Sequence, residues 1–308
     1  PIITDAKDDA GMYASLIPEA VLSNSVTWGG ATLMMNEGGT SDVIHTVSSV
    51  GNPATCIGAV QAAVAKPVGR ANIIDQSYTI TVKTNGRPMD SISREQLFNH
   101  NNLFAVVNTQ AGVVQELLQF QTAEETADDT YRLSGILRGR FGTDSQIDAI
   151  AAGAYLVQLN PRNAILRVPG MPAQIGQEFA YKAVTNGSTV ENAQTVRYAN
   201  TARGLKPYAP VRLNGRRVGN DWHLRWTRRS RIDGGWRNSV DVPLGEASEE
   251  YNLTIPSKRV AIVSTPAFIY TEAMQIADFG SVRTSLTFTV AQVSAVVGAG
   301  ILASWSSS

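Results

Sequence analysis

The chain has 308 residues with 26 Lys+Arg against 26 Asp+Glu, 17% charged and 43% hydrophobic. That balance excludes a disordered chain and a histone-like polyanion coat. A single cysteine, Cys56, and three scattered histidines, His45, His100 and His223, leave no disulfide framework and no Cys- or His-built zinc site. No apolar run approaches the roughly 18 residues of a membrane helix, and no secretory leader is visible. The neutral total conceals a local excess. Between Arg203 and Arg237 lie nine arginines and Lys206 against only Asp221 and Asp233.

In chain order the sequence reads mostly as strands, short β-branched or alternating runs punctuated by Gly, Asn, Pro and Asp. Cys56 to Ala65 is Ala-rich and is a helix candidate. Ser77 to Thr84 alternates, with Tyr78, Ile80 and Val82 on one side, and Asn85-Gly86 marks a tight turn. Ser93 to Phe98 is expected to form a short helical turn with Ser93 as cap and Gln96 at the third helical position. Leu103 to Val107 and Val113 to Phe120 read as two strands joined at Asn108 to Gly112. Thr122 to Asp128 is a further candidate for one or two helical turns. Tyr131 to Leu137, Tyr155 to Leu159, Ala164 to Val168 and Glu178 to Val184 continue the strand series.

Gly204 to Pro210, with two prolines, marks a domain boundary. Beyond it, strands are expected at Val211 to Leu213, Asp221 to Thr227, Tyr251 to Ile255, Val260 to Ser264, Phe268 to Thr271 and Ser285 to Ser294. Trp222, Leu224 and Trp226 alternate with His223 and Arg225, giving one buried aromatic face and one polar face. Length and spacing suit a fibronectin-III-like or immunoglobulin-like sandwich. A softer break lies near Lys66 to Asp75. The fold expected is all-β and multidomain: an N-terminal β-rich region over 1–72, a central β domain over 73–204, and a fibronectin-III-like sandwich with a terminal strand over 205–308.

Tyr131-Arg-Leu-Ser-Gly-Ile-Leu-Arg-Gly-Arg-Phe-Gly-Thr143 and Gly153-Ala-Tyr-Leu-Val-Gln-Leu159 open a run of motifs. It continues through Tyr181 to Val184, Lys206 to Pro210, Trp226 to Ile232, Trp236, Asp241 to Glu246, Glu250-Tyr251, Tyr270 to Gln275, Asp278 to Gly280 and Val290 to Ser294. In this order the motifs resemble the C-terminal part of the baseplate-hub or tail-tip (host-specificity) protein of gene transfer agents and related long-tailed phages. Phe141 departs from the family's usual second Arg-like residue, and Gly298 to Gly300 loosens its terminal pattern. The resemblance implies a structural role in the virion: a homotrimeric hub that closes the distal tail, touches neighbouring tail-tip and distal tail proteins, and takes part in host contact and DNA passage. It implies sequence upstream of Pro1 and no catalysis, cofactor, metal or sequence-specific nucleic-acid binding.

Several residue groups invite chemistry and have a structural reading beside it. Glu124, Glu125, Asp128 and Asp129 offer a carboxylate pair for glycoside hydrolysis, or a solvated turn. Asp5, Asp8 and Asp9 offer oxygen ligands for calcium, without the glycine and glutamate of an EF-hand. Cys56, in an apolar flank without a neighbouring histidine, reads as a buried inert thiol. Arg138 to Thr143 offers guanidinium and backbone donors but lacks a P-loop's Gly-Lys-Ser/Thr. It reads as a tight loop in which Gly142 permits the turn and Arg138 or Arg140 pairs with acids or carbonyls, within the chain or between subunits. Arg216, Arg217, Arg225, Arg228, Arg229, Arg231 and Arg237, with Trp222, Trp226 and Trp236, make a candidate contact surface for phosphate, an anionic host glycan or a receptor. The alternative is a sandwich in which tryptophans are core and arginines stack on them or pair with Glu246, Glu249 and Glu250. No Gly-x-Ser-x-Gly elbow occurs, and no enzyme is expected.

Overall fold

The computed structural model describes residues 10–16, 29–36, 44–50, 56–68, 71–108, 113–159, 165–168, 170–232 and 241–307. Two compact units make up the chain, Ile3–Thr201 and Ala202–Ser308. The first contains β1 (Met12–Ser15), β2 (Ala31–Asn36), β3 (Ile44–Val50), β4 (Ile57–Val60), β5 (Ile74–Asp75), β6 (Ile80–Thr84), α1 (Arg94–Phe98), β7 (Leu103–Asn108), β8 (Val113–Ala127), β9 (Thr130–Leu137), β10 (Tyr155–Gln158), β11 (Ile165–Val168), β12 (Glu178–Thr185) and β13 (Thr195–Ala199).

Six of these strands close into an antiparallel barrel in the order β9-β6-β4-β10-β7-β8, with β8 returning to pair β9, and β5 added on β9. Closure depends on the length of β8. Its first half pairs β7, from Asn108 opposite Val113 to Leu103 opposite Gln119, and its second half pairs β9, from Gln119 opposite Leu137 to Ala127 opposite Thr130. A barrel of this size is filled by its own side chains. Ile80, Val82, Phe104, Val106, Leu118, Phe120, Leu133 and Leu156 alternate inward at period two and form its core. Ile57, Leu103, Ala105, Leu117 and Val157, of opposite parity, form a second buried cluster against which Phe141 packs. The chain before and after the barrel builds the rest of the unit. A four-stranded sheet, β13-β12-β2-β3, shares a core of Leu33, Met35, Phe179 and Tyr181 with Leu166 and Val168 of the two-stranded sheet β1-β11.

Neither of two helix candidates is helical. Within Cys56 to Ala65, Ile57–Val60 forms β4, where small residues fit the crowded barrel wall: a Cβ on Gly58 would stand 3.0 Å from the Met89 methyl and 3.1 Å from Val82. Thr122 to Ala127 continues β8, held there by the β9 ladder that overrides its helix-forming Glu and Ala. The break read near Lys66 to Asp75 lies inside the barrel, between β4 and β5, so residues on either side of position 72 share one sheet. The Ser93 turn is α1, with Ser93 Oγ accepting from Gln96 N at 3.2 Å and Gln96 Oε1 accepting from Ser93 N at 2.9 Å.

The second unit contains β14 (Val211–Val218), β15 (Asp221–Thr227), β16 (Tyr251–Ile255), β17 (Arg259–Val263), β18 (Ala267–Tyr270), α2 (Glu272–Phe279), β19 (Thr287–Ser294), β20 (Gly298–Ala299) and β21 (Ala303–Ser306). A sheet β14-β15-β18 faces a sheet β17-β16-β19, whose far side carries β20 and β21. The three strands β14-β15-β18 opposing β17-β16-β19-β21 in this connectivity form the fibronectin-III arrangement, with the short β20 added beside β19. Trp222, Leu224 and Trp226 from one sheet meet Tyr251, Leu253, Phe288 and Val290 from the other. The Trp226 and Tyr251 rings stand edge-to-face at 5.3 Å. Gly215 has a close-packing role, because a Cβ there would lie 2.6 Å from the Trp305 ring.

Between β18 and β19 the α2 segment is fixed by polar groups that the strand pattern did not disclose. Asp278 accepts two hydrogen bonds from Arg259, at 2.7 and 3.0 Å, and one from the Tyr270 hydroxyl at 2.7 Å. Arg259, with Tyr270 adding to it, holds the Asp278 carboxyl below the usual aspartate range. A carboxylate so depressed stabilises the fold fully above its ordinary value of 3.8 and loses that contribution as pH falls through the lower folded value. Asp278→Asn is therefore expected to lower the urea midpoint at pH 7, and the gap from the parent should narrow below about pH 4. A gap independent of pH would contradict the assignment.

Candidate functional site

The strongest constellation of charge lies where β9 runs out of the barrel. Glu116 is on β8 with the inward parity of Leu118 and Phe120, and its side chain is 0% exposed. Arg138, 4% exposed, immediately follows β9 and pairs with Glu116 through both Nε and Nη2. Arg138 Nη2 also donates to the Asp148 carbonyl at 2.7 Å. Burial pushes the Glu116 carboxyl above its usual range, while Arg138 and the Gly139 backbone N–H pull it down. The Tyr78 phenol shares this pocket of charge, and burial raises it against the pull of Arg138.

The loop after Arg138 is built to hold this pair. Gly139 has φ 71, and a Cβ there would meet Asp144 Cα and Ile147 Cδ1 at 2.8 Å. Phe141 and buried Gly142 also take positive φ, of 50 and 77. Thr143 Oγ1 accepts from Leu117 N at 2.9 Å and donates to the Arg140 carbonyl at 2.8 Å, tying the loop to β8. Arg140 donates to Gln119 Oε1 at 2.6 Å and Asn72 Oδ1 at 2.9 Å, and its Nη2 stands 3.4 Å from His100 Nδ1. Burial, then Arg140, lowers the His100 pKa, which favours the neutral ring. Arg138 and Arg140 thus engage groups within this chain. Sequence reading missed Glu116; its signal was a lone acid at an inward position of an apolar strand.

The arginine-rich segment divides. Trp222 and Trp226 are core. Arg228 donates to Asp241 Oδ2 at 2.9 Å and to the Val242 and Pro243 carbonyls. Arg229 stacks 5.1 Å above the Tyr208 ring. Arg231 and Glu246, 7% and 6% exposed, form a buried pair at 3.0 Å. Glu249 accepts from the Tyr251 hydroxyl at 2.7 Å. Arg225 is exposed on the opposite face of β15 from the tryptophans. Trp236 and Arg237 lie outside the described residues, as do Asp5, Asp8 and Asp9.

The other candidates separate as well. Glu124, Glu125, Asp128 and Asp129 occupy the tip of the β8–β9 hairpin, where Glu124 pairs with Arg132 at 2.7 Å. Among the described residues no group of three His, Cys, Asp or Glu is placed to hold a metal ion, and no helix is long and apolar enough to cross a membrane. Cys56 is buried beneath the Arg87 carbonyl, and burial pushes its thiol up to about 12. The native thiol is expected to resist an aromatic disulfide reagent at pH 8 and to react fully in denaturant. Equal rates in both states would contradict its burial.

Removing one partner of a buried pair strands the other charge, whereas an exposed pair contributes little. Glu116→Gln is expected to destabilise by about 3–5 kcal/mol, and Glu124→Gln by about 1 kcal/mol or less. Urea unfolding of the two variants checks this, and similar losses would contradict the ranking.

Residues 55–157, which span the barrel, match the model of a family described as Rcc01698-like, C-terminal. Rcc01698 is a gene-transfer-agent-associated protein, so this part of the chain is similar to a gene-transfer-agent or phage-related protein. No curated protein matches the chain. Among solved structures, the crystal structure of chicken CNTN1 FN1–FN3 domains aligns over 91% of this chain and 90% of that one, at 9% identity and a TM-score of 0.22.

Proposed function

We propose that the chain is a structural component of a phage-like tail tip or baseplate hub, closing the distal tail and supporting host contact and DNA delivery. The observation that carries this reading is the likeness of residues 55–157 to a gene-transfer-agent-associated protein. The motif order from Tyr131 to Ser294 supports the finer placement at the tail tip. In this reading the chain works as a homotrimer in the virion, beside neighbouring tail-tip and distal tail proteins.

The disposition of charge supports an architectural rather than a catalytic role. Glu116 faces a guanidinium inside the barrel wall, and the hairpin acids from Glu124 to Asp128 are exposed, without the desolvation that makes a general acid. The alternative, an adhesin whose Arg/Trp surface takes a receptor or glycan, has less support. Trp222 and Trp226 are core, and Arg228, Arg229 and Arg231 engage groups of their own unit.

Gold labelling of an epitope-tagged chain in native particles is expected to mark the distal end of the tail. Particles with complete tail tips that lack the chain would overturn the proposal. Purified chain is expected to leave the turbidity of a cell-wall suspension unchanged, and clearing would contradict the non-catalytic role.

A further inference from the structure

The outer face of the β14-β15-β18 sheet carries charge that its own unit does not neutralise. Arg216 and Arg225 are exposed on it, and Arg212 is exposed at the bulge of β14 between Val211 and Asn214. Arg225 lies opposite Asn214 and Arg216 opposite His223, so Arg216 and Arg225 are diagonal neighbours about 7–8 Å apart. Among the described residues no acid pairs with any of these three arginines. Asp221, at the end of this face, is occupied in accepting from Glu272 N at 2.7 Å. Val218 and Ile269 add exposed apolar surface, 48% and 49% accessible, on the same side. Like charges set this close disfavour one another, and an anionic surface would relieve them.

The chain itself carries the complementary surface. Residues 202–308 hold 13 Lys+Arg against 8 Asp+Glu, and residues 1–201 hold 13 against 18. The acidic excess of the first unit comes to a point at the β8–β9 hairpin. There Glu125 and Asp128 are exposed, Asp129 is half-buried with φ 55, and none of the three has a cationic partner among the described residues. A two-stranded tip bearing three unpaired carboxylates fits a sheet face bearing the unpaired guanidinium groups of Arg216 and Arg225, with Arg212 exposed at the bulge of the same strand. Guanidinium suits such contacts because it is weakly hydrated and binds carboxylate through two parallel donors.

We propose that the basic outer face of the second unit docks the acidic β8–β9 hairpin of a second copy of this chain. The contact is heterologous, joining different surfaces of the two copies, so repetition generates a ring or an open chain of copies. It does not depend on the tail-tip reading, since it concerns only how copies of this chain recognise one another.

Sedimentation velocity on the full chain tests it. Concentration-dependent association is expected at about 0.05 M salt and should weaken by about tenfold or more at about 0.5 M. Arg216→Glu with Arg225→Glu should give a monomer at low salt, and so should Glu125→Lys with Asp128→Lys. Mixing these two charge-reversed variants should restore association, because each then presents a surface complementary to the other. Recovery on mixing also shows that both variants are folded. A parent chain that is monomeric at all concentrations overturns the proposal. Association indifferent to the reversals, or no recovery on mixing, overturns it too. So does a monomer that binds a phosphate-bearing polymer through Arg216 and Arg225.

Discussion

The first unit depends on one strand serving two neighbours. An open sheet of six strands would leave two edges of unpaired amides and carbonyls, a template for unwanted pairing. β8 avoids this by running for fifteen residues, pairing β7 and then β9, so the sheet becomes a barrel without edges. The bend needs local help. The β7–β8 register slips between Val106 and Val107, and Gly135 on β9 has φ 64 where a Cβ would stand 2.9 Å from Gln121 Cβ. The Glu116–Arg138 pair then links the first half of β8 to the end of β9, and Thr143 ties the following loop to Leu117. Closure, buried charge and loop geometry act on the same two strands.

Both units use ionic groups as internal fasteners. Arg138 with Glu116 joins the end of β9 to β8, Arg231 with Glu246 joins two loop segments between β15 and β16, and Arg259 with Asp278 joins β17 to α2. A buried pair is a weak source of net stability, since desolvation offsets much of the attraction, yet losing one partner is costly. These pairs therefore fix where loops sit more than they strengthen the fold. That suits a part whose surfaces must present a set shape to neighbours, and it leaves the unpaired charges, at the β8–β9 tip and on the outer β14-β15-β18 face, as the groups free to engage them.

Much of the architecture was legible because strand periodicity is local. The alternation of Trp222, Leu224 and Trp226 with His223 and Arg225 gave the sandwich its inner and outer faces directly, and Ser93 with Gln96 gave α1 its cap. What was not legible was set by distant partners. The small residues from Cys56 to Ala65 suit a helix until β6 and β10 flank them. The run from Thr122 to Ala127 becomes strand only through β9. Glu116 is separated from Arg138 by 22 positions, and no short-range pattern links them. α2 went unread because the core contacts of its Met274 and Phe279 are set by the sandwich.

Amide hydrogen exchange along β8 tests most directly whether one strand closes the barrel. The amides of residues 114–119 that bond to β7 and those of residues 120–123 that bond to β9 should exchange slowly, with closely similar opening free energies and the same denaturant dependence, as parts of one cooperative unit. Fast exchange at 120–123 beside protected amides at 114–119 would mean that β9 is not held there and that the sheet is open, contradicting the account.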